Sequence, residues 1–529
     1  MAQLDRTDRR QLLRLAAAVA GASWWPRSAA AQPRIGFDPF GLGVASGSPA
    51  PDSVVLWTRL VPTRRLPEDG RTALPVRWEV AHDEGFHRIA RSGTAQAVPQ
   101  LAHSVHVEAD GLEPDRWYFY RFHLGEATSP VGRTRTLPAP DALPGRLRVG
   151  YASCQRWEHG YYAAHRHLRA DQPDLVLFLG DYIYEYPNAA AAIRSFPTLG
   201  WVRTLPEYRE RYELHRSDAD LRALHAACPW LVTWDDHEVQ NDYAGTHAGD
   251  PRPLSMNMVA DFGARRAAAY QAFYEHMPIR ASEFALALAG GARADLRVHA
   301  RYRHGRLADL LLLDGRQYRH PQACAPADRR AAPADPTACP ALDDPSRSLL
   351  GAAQEQWLEQ AFAQAGPGWT VIGQQTLFGQ RDLQPGAGEV LWNDGWDGYR
   401  PARRRLTDAL QRHAVANPVF LGGDVHEHWV GHVKADYGRP DSAVVGVEFC
   451  GTSVTSRPGS PERTAIRLKE NPHFVFADGL HRGYGLVDFT PQRLTATLRG
   501  LDDATVPFAQ ARTLATFVVE AGRKRLVRA

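Results

Sequence analysis

Short apolar segments that are followed at once by acidic or imidazole side chains recur along this chain, and they restrict its fold more than any other feature. The clearest is Leu175–Leu179, which ends at Gly180 and then presents Asp181. Segments of this length and character are typical of buried strands, and α/β proteins hold ligands just after such strands. Similar segments occupy residues 147–151, 230–233, 310–313, 370–373 and 419–421.

Stretches with apolar residues at helical spacing lie between these segments. They predict helices over residues 160–170, 205–225, 259–276 and 352–364. Alternating buried strands and helices indicate an α/β layered core.

Residues 40–138 have a different pattern. Segments 53–59, 76–80 and 117–122 are rich in β-branched and aromatic residues and are divided by Gly and Pro turns. This pattern predicts an all-β sandwich of the immunoglobulin or fibronectin type, of about a hundred residues. A Pro-rich stretch marks its end, so we expect a sandwich domain over residues 38–138 and an α/β domain over residues 145–515.

Residues 1–31 have the pattern of a targeting segment. Arg9 and Arg10 precede an Ala-rich run, and Ala29 to Ala31 supply small residues for cleavage. This predicts a twin-arginine-type signal peptide that the twin-arginine export machinery recognises, with general secretion as the alternative. No segment is long and apolar enough to span a membrane, so we expect a soluble protein that is exported, either periplasmic or secreted.

The charge of the chain excludes one class of partner. Five Arg and two Asp in residues 1–31 account for the formal net charge of +3, and the remainder is balanced. Without a basic excess, we expect no nucleic-acid-binding surface.

Three strand ends carry side chains that suit metal cations. A pair of cations needs a bridging carboxylate, flanking oxygen and nitrogen ligands, and open positions for water and substrate. A single Gly-Asp after a strand is also a common turn or helix cap, so it is the recurrence that favours a metal centre. The candidate residues are Asp181 and Tyr184; Asp235, Asp236, His237, Glu238, Asn241 and Asp242; and Asp424, His426, Glu427 and His428.

The cysteine count adds a further candidate ligand. With five Cys, at least one is unpaired within a monomer. Cys324 and Cys339 share one Pro- and Asp-rich segment and are the natural disulfide candidates. Cys154 follows the first α/β strand, where a thiolate would suit a transition metal, although burial or a disulfide is the common alternative. Cys228 and Cys450 are left open, as free or paired residues.

Eight short motifs follow one another along the chain. They are Gly43-Val44-Ala45-Ser46-Gly47, Leu56-Trp57-Thr58-Arg59, Ala152-Ser153-Cys154, Gly180-Asp181-Tyr182-Ile183-Tyr184, Trp234-Asp235-Asp236-His237-Glu238, Leu313-Asp314-Gly315-Arg316, Asp394-Gly395-Trp396-Asp397-Gly398-Tyr399 and Gly423-Asp424-Val425-His426. Each motif alone is short, but the combination is highly specific. In this order, from about residue 38 to residue 515, they resemble the alkaline phosphatase D (PhoD) family.

This resemblance implies a calcineurin-like metallophosphatase core, with two sheets flanked by helices, that hydrolyses phosphomonoesters and phosphodiesters at alkaline pH. It also implies a dinuclear or trinuclear centre of Fe³⁺ and Ca²⁺, which would lower the pKa of a bound water so that hydroxide attacks phosphorus in line with the leaving oxygen. Carried over residue by residue, the iron ligands would be Cys154, Asp181, Tyr184 and His426, and the calcium ligands Asp181, Asp236, Asn241 and Asp424.

Two more residues are candidates for catalysis. Arg316 could clamp phosphate oxygens with its guanidinium or act as a structural ion-pair partner. His237 could protonate the leaving group or orient a ligand. Gly315 departs from the hydroxyl-bearing residue that is frequent in the family.

Other functions remain open at this stage. A phosphodiesterase or phospholipase D-type hydrolase could use the same scaffold, because pocket walls decide how large an ester fits. A non-catalytic exported binding protein is disfavoured by the intact ligand set. We expect small-molecule or lipid phosphate esters as substrates and a monomeric protein.

Overall fold

The computed structural model describes residues 37–61, 72–188, 192–195, 200–251, 259–284 and 296–529. The expected signal peptide at residues 1–31 lies outside the described residues. The chain divides into two compact units. The first consists of Met1–Pro138, Thr204–Trp230 and Gly263–Arg297, and the second of Ala139–Arg203, Leu231–Phe262 and Val298–Ala529.

The strands and helices are numbered in chain order. The strands are β1 (Val44–Gly47), β2 (Val54–Arg59), β3 (Leu74–Ala81), β4 (Ile89–Ala97), β5 (Ser104–Ala109), β6 (Trp117–Leu124), β7 (Ala127–Thr128), β8 (Gly132–Arg135), β9 (Leu147–Ala152), β10 (Leu175–Leu179), β11 (Trp230–Thr233), β12 (Ala300–His304), β13 (Ala308–Leu312), β14 (Pro333–Ala334), β15 (Trp369–Gly373), β16 (Leu391–Trp392), β17 (Pro418–Gly422), β18 (His428–Lys434), β19 (Val444–Cys450), β20 (Phe474–Asp478), β21 (Gly483–Phe489), β22 (Arg493–Leu501), β23 (Ala511–Glu520) and β24 (Val527–Arg528). The α-helices are α1 (Ala163–Ala170), α2 (Leu205–Arg216), α3 (Ala219–Ala227), α4 (Phe262–His276), α5 (Ala352–Ala363), α6 (Arg400–Arg412) and α7 (Pro461–Glu470).

The N-terminal strands of the first unit form two groups that share a hydrophobic core. One group runs β1-β2-β5, and the other runs β4-β3-β6-β7 with β8 also paired to β6. Leu56, Val80 and Tyr120 are fully buried in the shared core. Burial of an aliphatic or aromatic side chain of this size stabilises a fold by about 1.5–3 kcal/mol.

The first unit also contains helices that the sequence placed in the α/β domain. They include α2 and α3 and nearly all of α4. Two strand residues bond to the end of α4: Trp57 Nε1 donates to the Glu275 carbonyl oxygen at 3.1 Å, and Arg59 Nη1 lies 2.7 Å from His276 Nε2. Residues 38–138 therefore do not form this unit alone, because β2 is buried by helices from later in the chain.

The second unit has two sheets. One runs β24-β23-β22-β21-β9-β10-β11, and the seven-stranded other runs β12-β13-β15-β17-β19-β18-β20. Side chains from both sheets, including Val149, Leu177, Val371 and Val419, belong to one buried core. Helices α5 and α6 pack on a second core that contains residues of β15 and β17. The predicted mixed α/β character is confirmed.

Parallel pairing in both sheets brings strand ends together. Strands β9 and β10 are parallel, with Leu175 opposite Val149. In the other sheet β13, β15, β17 and β19 are successive parallel neighbours. Because parallel strands end at the same edge, the polar residues after each strand meet there.

The predicted elements agree with the observed ones except at one helix. Residues 175–179 and 230–233 are strands as predicted, but the helix expected over 205–225 is interrupted between α2 and α3. The Asp218 carboxylate accepts hydrogen bonds from the backbone N–H groups of Asp220 and Leu221, and so caps the start of α3. No helix in the described part of the chain is long and apolar enough to cross a membrane.

The predicted disulfide between Cys324 and Cys339 is present. Cys154, Cys228 and Cys450 are buried and take part in no disulfide within the described residues. Cys228 and Cys450, whose pairing the sequence left open, are therefore not bonded to each other.

Candidate metal centre

The loops after β9 and β10 place Cys154 beside Asp181. The Cys154 N–H donates to the Gly180 carbonyl oxygen at 3.1 Å, and the Gln155 N–H donates to the Asp181 carbonyl oxygen at 3.0 Å. These two backbone bonds join the loops directly beyond the strand ends. Strand pairing therefore determines the proximity of the thiol and the carboxylate.

Four of the predicted ligands have left-handed backbone conformations. The φ angles are 59° at Cys154, 56° at Asp181, 66° at Asp424 and 57° at His426. Such a conformation is uncommon for residues other than Gly, and it costs on the order of 1–3 kcal/mol at each position. Conformations of this kind concentrate at functional sites, where the surrounding structure maintains them.

Gly180, which precedes Asp181, is required by the local geometry. Its φ is +107°, and a Cβ atom built on it would lie 2.6 Å from Asp235 Cβ and 2.7 Å from Asp235 N. We expect Gly180→Ala to lower the free energy of unfolding by about 1–3 kcal/mol because of strain and this contact. Denaturant unfolding measures the change, and Gly366→Ala, at a glycine with nothing within 4 Å, is the matched control. Equal stability of the two variants would contradict this expectation.

The predicted ligands lie in two groups that share Asp181. Potential ligand atoms of Cys154, Asp181 and His426 lie within 4.8 Å of one another, and so do those of Asp181, Asp236 and His237. Asp181 Oδ2 accepts a hydrogen bond from the Tyr184 hydroxyl at 2.9 Å, whereas Asp181 Oδ1 is buried without a hydrogen-bond partner. A buried carboxylate oxygen without a partner is costly unless a cation contacts it.

The first group combines sulfur, phenol and imidazole. His426 Nδ1 donates to the Arg457 carbonyl oxygen at 2.9 Å, so its Nε2 remains available on the side of Tyr184, 3.5 Å from Tyr184 Oη. Burial lowers the pKa of His426 to about 4, which keeps the ring neutral. Burial and then the charge of Asp181 raise the pKa of both Cys154 and Tyr184.

The second group is dominated by oxygen. Asp236 Oδ1 accepts from the His237 N–H at 3.0 Å, and Asp236 Oδ2 accepts from the Asp242 N–H at 2.7 Å. Asn241 Nδ2 donates to Asp242 Oδ2 at 2.7 Å, which leaves the Asn241 side-chain carbonyl oxygen available as a ligand. Burial opposes ionisation of Asp236, but Arg316 and His237 outweigh it and lower the pKa of Asp236.

Asp424 faces the same pocket from the loop after β17. It belongs to neither of the two groups of potential ligand atoms found in the described residues. Asp424 Oδ2 accepts from the Thr376 hydroxyl at 2.6 Å. Burial, together with the charges of Asp235 and Asp236, raises the pKa of Asp424 to about 7.

All of the predicted ligands except Cys154 line one pocket, with a volume of about 310 Å³. Cys154 is buried, and its Sγ lies within 4.8 Å of potential ligand atoms of Asp181 and His426. The remaining lining residues are Arg156, His159, His237, Tyr186, Asn188, Asp242, Trp392, Asp394, Ser456 and Arg457.

Arg316 lies outside this lining in the described structure. Its Nε bonds to Asp235 Oδ1, and its Nη1 and Nη2 bond to the two oxygens of Asp394 at 3.0 and 2.7 Å. These contacts support the ion-pair alternative and not the phosphate clamp. The two neighbouring acids differ in their contacts: Asp235 accepts a hydrogen bond from Arg316, whereas Asp236 Oδ2 lies 3.7 Å from Arg316 Nη2 and Asp236 is grouped with Asp181 and His237.

Two buried glutamates hold the site residues, and the sequence singled out only one of them, Glu238. Glu185 Oε2 lies 2.8 Å from His237 Nδ1, and Glu185 Oε1 accepts from the Asn241 N–H at 2.7 Å. Glu238 accepts from the N–H groups of Asp181, Tyr182 and Asp235 at 3.2, 2.6 and 2.9 Å. Glu185 was missed, although it directly follows the motif residue Tyr184 in the sequence.

His237 is positioned by Glu185. With Nδ1 occupied, its Nε2 is available to the pocket, and its ring lies 4.1 Å from that of Tyr184. Burial opposes protonation, but Asp236, Asp181 and Glu185 outweigh it and raise the pKa of His237.

The donor set fits bound cations. Five aspartates line the pocket: Asp181, Asp236, Asp242, Asp394 and Asp424. Grouping so many buried carboxylates is costly without positive charge between them. A thiol, a phenol and an imidazole suit a transition metal, and carboxylate and amide oxygens suit a harder cation such as Ca²⁺.

Comparison with known proteins agrees with this chemistry. Residues 149–498 match the PhoD-like phosphatase family, and residues 27–138 match the PhoD-like phosphatase N-terminal domain. Alkaline phosphatase D of Bacillus subtilis (strain 168) is 43% identical over 538 residues, which cover 98% of this chain and 88% of that protein. Purple acid phosphatase 23 of Arabidopsis thaliana is 25% identical over 183 residues, which cover 31% of this chain and 39% of that protein.

A solved structure extends the comparison to the fold. The structure described as that of PhoD superposes with a TM-score of 0.84 at 42% sequence identity, and the match covers 94% of this chain and 93% of that one. Both the sequence and the fold are thus shared over nearly the full length, and the chain belongs to the PhoD-like phosphatase family.

Proposed function

We propose that the pocket around Asp181 is the active site of this phosphoric ester hydrolase and that it works with bound cations. The observation that carries the proposal is the membership of Asp181 in both groups of potential ligands. One carboxylate can then bridge two cations, which is the arrangement that two-metal phosphoesterases need.

The two groups differ in the cation they suit. Cys154, Tyr184 and His426, with Asp181, would hold Fe³⁺, because sulfur, phenolate and imidazole favour a transition metal. Asp236, Asn241 and Asp424, again with Asp181, would hold Ca²⁺ in a dinuclear or trinuclear centre. Cations bound there would supply Lewis-acid stabilisation of the phosphoryl group and a water of lowered pKa.

The protein itself orients these groups. Arg457 holds the His426 ring through its carbonyl oxygen, Thr376 holds Asp424, and Glu238 holds the backbone at Asp181. The guanidinium of Arg156, 4.0 Å from the Tyr184 ring centroid, adds positive charge to the lining of the pocket. His237 Nε2 is available to a cation or can hold a proton for the leaving oxygen.

Glu185 is expected to act through the residues it holds. Glu185→Gln should lower cation affinity or kcat/KM by about 10- to 100-fold, because partners of this kind fix the ring orientation and tautomer of a histidine. Equilibrium cation titration and steady-state kinetics measure the effect. Glu520→Gln changes an exposed glutamate at the end of β23 and is the control. Wild-type values for Glu185→Gln would contradict the assigned role.

The proposed function is tested by elemental analysis of the purified protein, with a visible absorption scan for a tyrosinate-to-iron or thiolate-to-iron band. We expect iron and calcium, loss of activity on chelation, and loss of the thiolate-to-iron contribution to the band in Cys154→Ala. A protein that retains no cation, regains none, and is unaffected by Cys154→Ala would refute the proposal. Comparing p-nitrophenyl phosphate with bis(p-nitrophenyl) phosphate and a phospholipid diester separates a broad phosphatase from a phosphodiesterase or a phospholipase D-type hydrolase.

We also infer that the protein is exported as a monomer, with residues 1–31 as the signal peptide and with sequence domains at 38–138 and 145–515, although residues 204–230 and 263–297 of the second span belong to the first compact unit. The paired Arg9 and Arg10 and the match of the family's N-terminal domain to residues 27–138 support this assignment. Cell fractionation of a variant with both arginines changed to Lys tests the export route. Sedimentation of the exported protein tests the oligomeric state.

A further inference from the structure

Trp392 is an exposed indole in a pocket that is otherwise polar. It is 36% exposed and lines the pocket together with Asp394, Asp424 and His426. The two tyrosines of the lining are already covered. Arg156 lies over both tyrosines, at 4.0 Å from the Tyr184 centroid and 4.3 Å from the Tyr186 centroid, and Trp201 stacks on Tyr186 at 5.5 Å.

The Trp392 ring differs from the two tyrosines because, within the described residues, no aromatic ring or guanidinium stacks on it. Ligand pockets commonly combine convergent polar groups with aromatic side chains that a bound ligand covers. A partly exposed indole in the lining of this pocket therefore points to a ligand that packs against it.

The backbone that carries Trp392 is held on both sides. Strand β16 pairs with β14, with Trp392 opposite Pro333. The next residue, Asn393, is fully buried: its Oδ1 accepts from the Ala332 N–H at 2.7 Å, and its Nδ2 donates to the Ala323 carbonyl oxygen at 2.9 Å. The disulfide between Cys324 and Cys339 closes the segment that supplies these partners.

The residue after Asn393 is held just as firmly. Arg316 donates hydrogen bonds to both carboxylate oxygens of Asp394, and Arg319 Nη1 donates to Asp394 Oδ1 at 2.9 Å. The ring is therefore presented from a rigid support, which reduces the entropy lost when a ligand stacks on it.

We propose that Trp392 is a stacking platform for the leaving group of the ester, so that phosphate esters of aromatic or heteroaromatic alcohols, nucleoside phosphates included, are preferred substrates. This inference rests on the proposed function. Stacking on an aromatic side chain tolerates many flat rings, because each presents a π-face. Trp392 selects the leaving group of the ester and takes no part in the cleavage itself.

A pair of substrates with the same leaving oxygen tests the inference. Adenosine 5′-monophosphate and ribose 5-phosphate both release a primary alkoxide, and they differ in the base. We expect the wild-type enzyme to favour the nucleotide and Trp392→Ala to lower the ratio of the two kcat/KM values by about tenfold, mainly through KM for the nucleotide. Trp392→Phe should retain most of the preference.

The control is Phe508→Ala, which removes an exposed aromatic ring, 79% exposed, that does not line the pocket. The ratio of the two kcat/KM values and the cation content of Phe508→Ala should equal those of the wild type. A wild-type enzyme that hydrolyses both substrates equally, or a Trp392→Ala variant that loses both activities in proportion, overturns the platform and leaves the hydrolase proposal standing. Failure of the wild type on both of these substrates and on bis(p-nitrophenyl) phosphate overturns the proposed function and the platform with it.

Discussion

Asp181→Asn is expected to lower kcat/KM by at least about a thousandfold, because a shared ligand contributes several kcal/mol to stabilisation of the transition state. The reason is structural: Asp181 belongs to both groups of potential ligands, so its loss disturbs both cations at once. Steady-state kinetics and elemental analysis of the same preparation measure the effect. Asp441→Asn, at an exposed acid, is the control.

The same variant should be more stable than the wild type when cations are removed. Burial, and then the charges of Asp236 and Asp235 against the opposing charge of His237, raise the pKa of Asp181. A carboxyl whose pKa is raised on folding makes the cation-free fold less stable above its ordinary pKa, and an amide does not have this effect. Thermal unfolding in chelator tests this expectation. Wild-type activity and cation content in Asp181→Asn would refute the role of Asp181.

The second large effect is a pH-dependent difference in stability between the wild type and Asp424→Asn. In the cation-free protein, burial and the charge of Asp235 raise the pKa of Asp424 to about 7 from its ordinary value of 3.8. Between these values the folded state binds more protons than the unfolded state, so this group makes the unfolding free energy fall as pH rises. This decrease in the unfolding free energy begins near pH 4 and is complete above pH 7.

The comparison with Asp424→Asn isolates this group from the buried histidines. His426, with a pKa lowered to about 4 by burial, contributes the opposite slope below its ordinary pKa. We expect Asp424→Asn to gain stability relative to the wild type as pH rises from 4 to 8, by on the order of 1.4 kcal/mol for each unit of pKa displacement. Chemical unfolding in chelator at several pH values measures the difference. A constant difference across this range would contradict the assignment.

Much of the fold was predictable from local patterns. The apolar segments at residues 175–179 and 230–233 are strands with the predicted bounds, because a short buried strand has an apolar side chain at every position. The helix predicted over 205–225 is divided in two because the Asp218 side chain competes for backbone N–H groups. Assignment of α2 and α3 to the first unit was not predictable, since it depends on packing with distant strands.

The sequence also predicted many of the residues that line the pocket, because the residue types that suit a metal centre recur after its strands. The sequence by itself determined that Cys154, Asp181, Tyr184 and His426 would follow strands of one α/β core, and it determined the Cys324 to Cys339 disulfide. The left-handed conformations of Cys154, Asp181, Asp424 and His426 were not visible in it, because strain of this kind is imposed by the surrounding structure.

Only the tertiary structure distinguished the surroundings of Asp235 from those of Asp236. The two acids are adjacent in sequence, yet one bonds to Arg316 and the other joins Asp181 and His237. It also showed that Arg316 is engaged by Asp235 and Asp394, and that Glu185 holds His237. The physical reason is common to all three. Residue type limits what a side chain can bind, but its partner is determined by which distant strands and loops the fold brings within hydrogen-bonding distance.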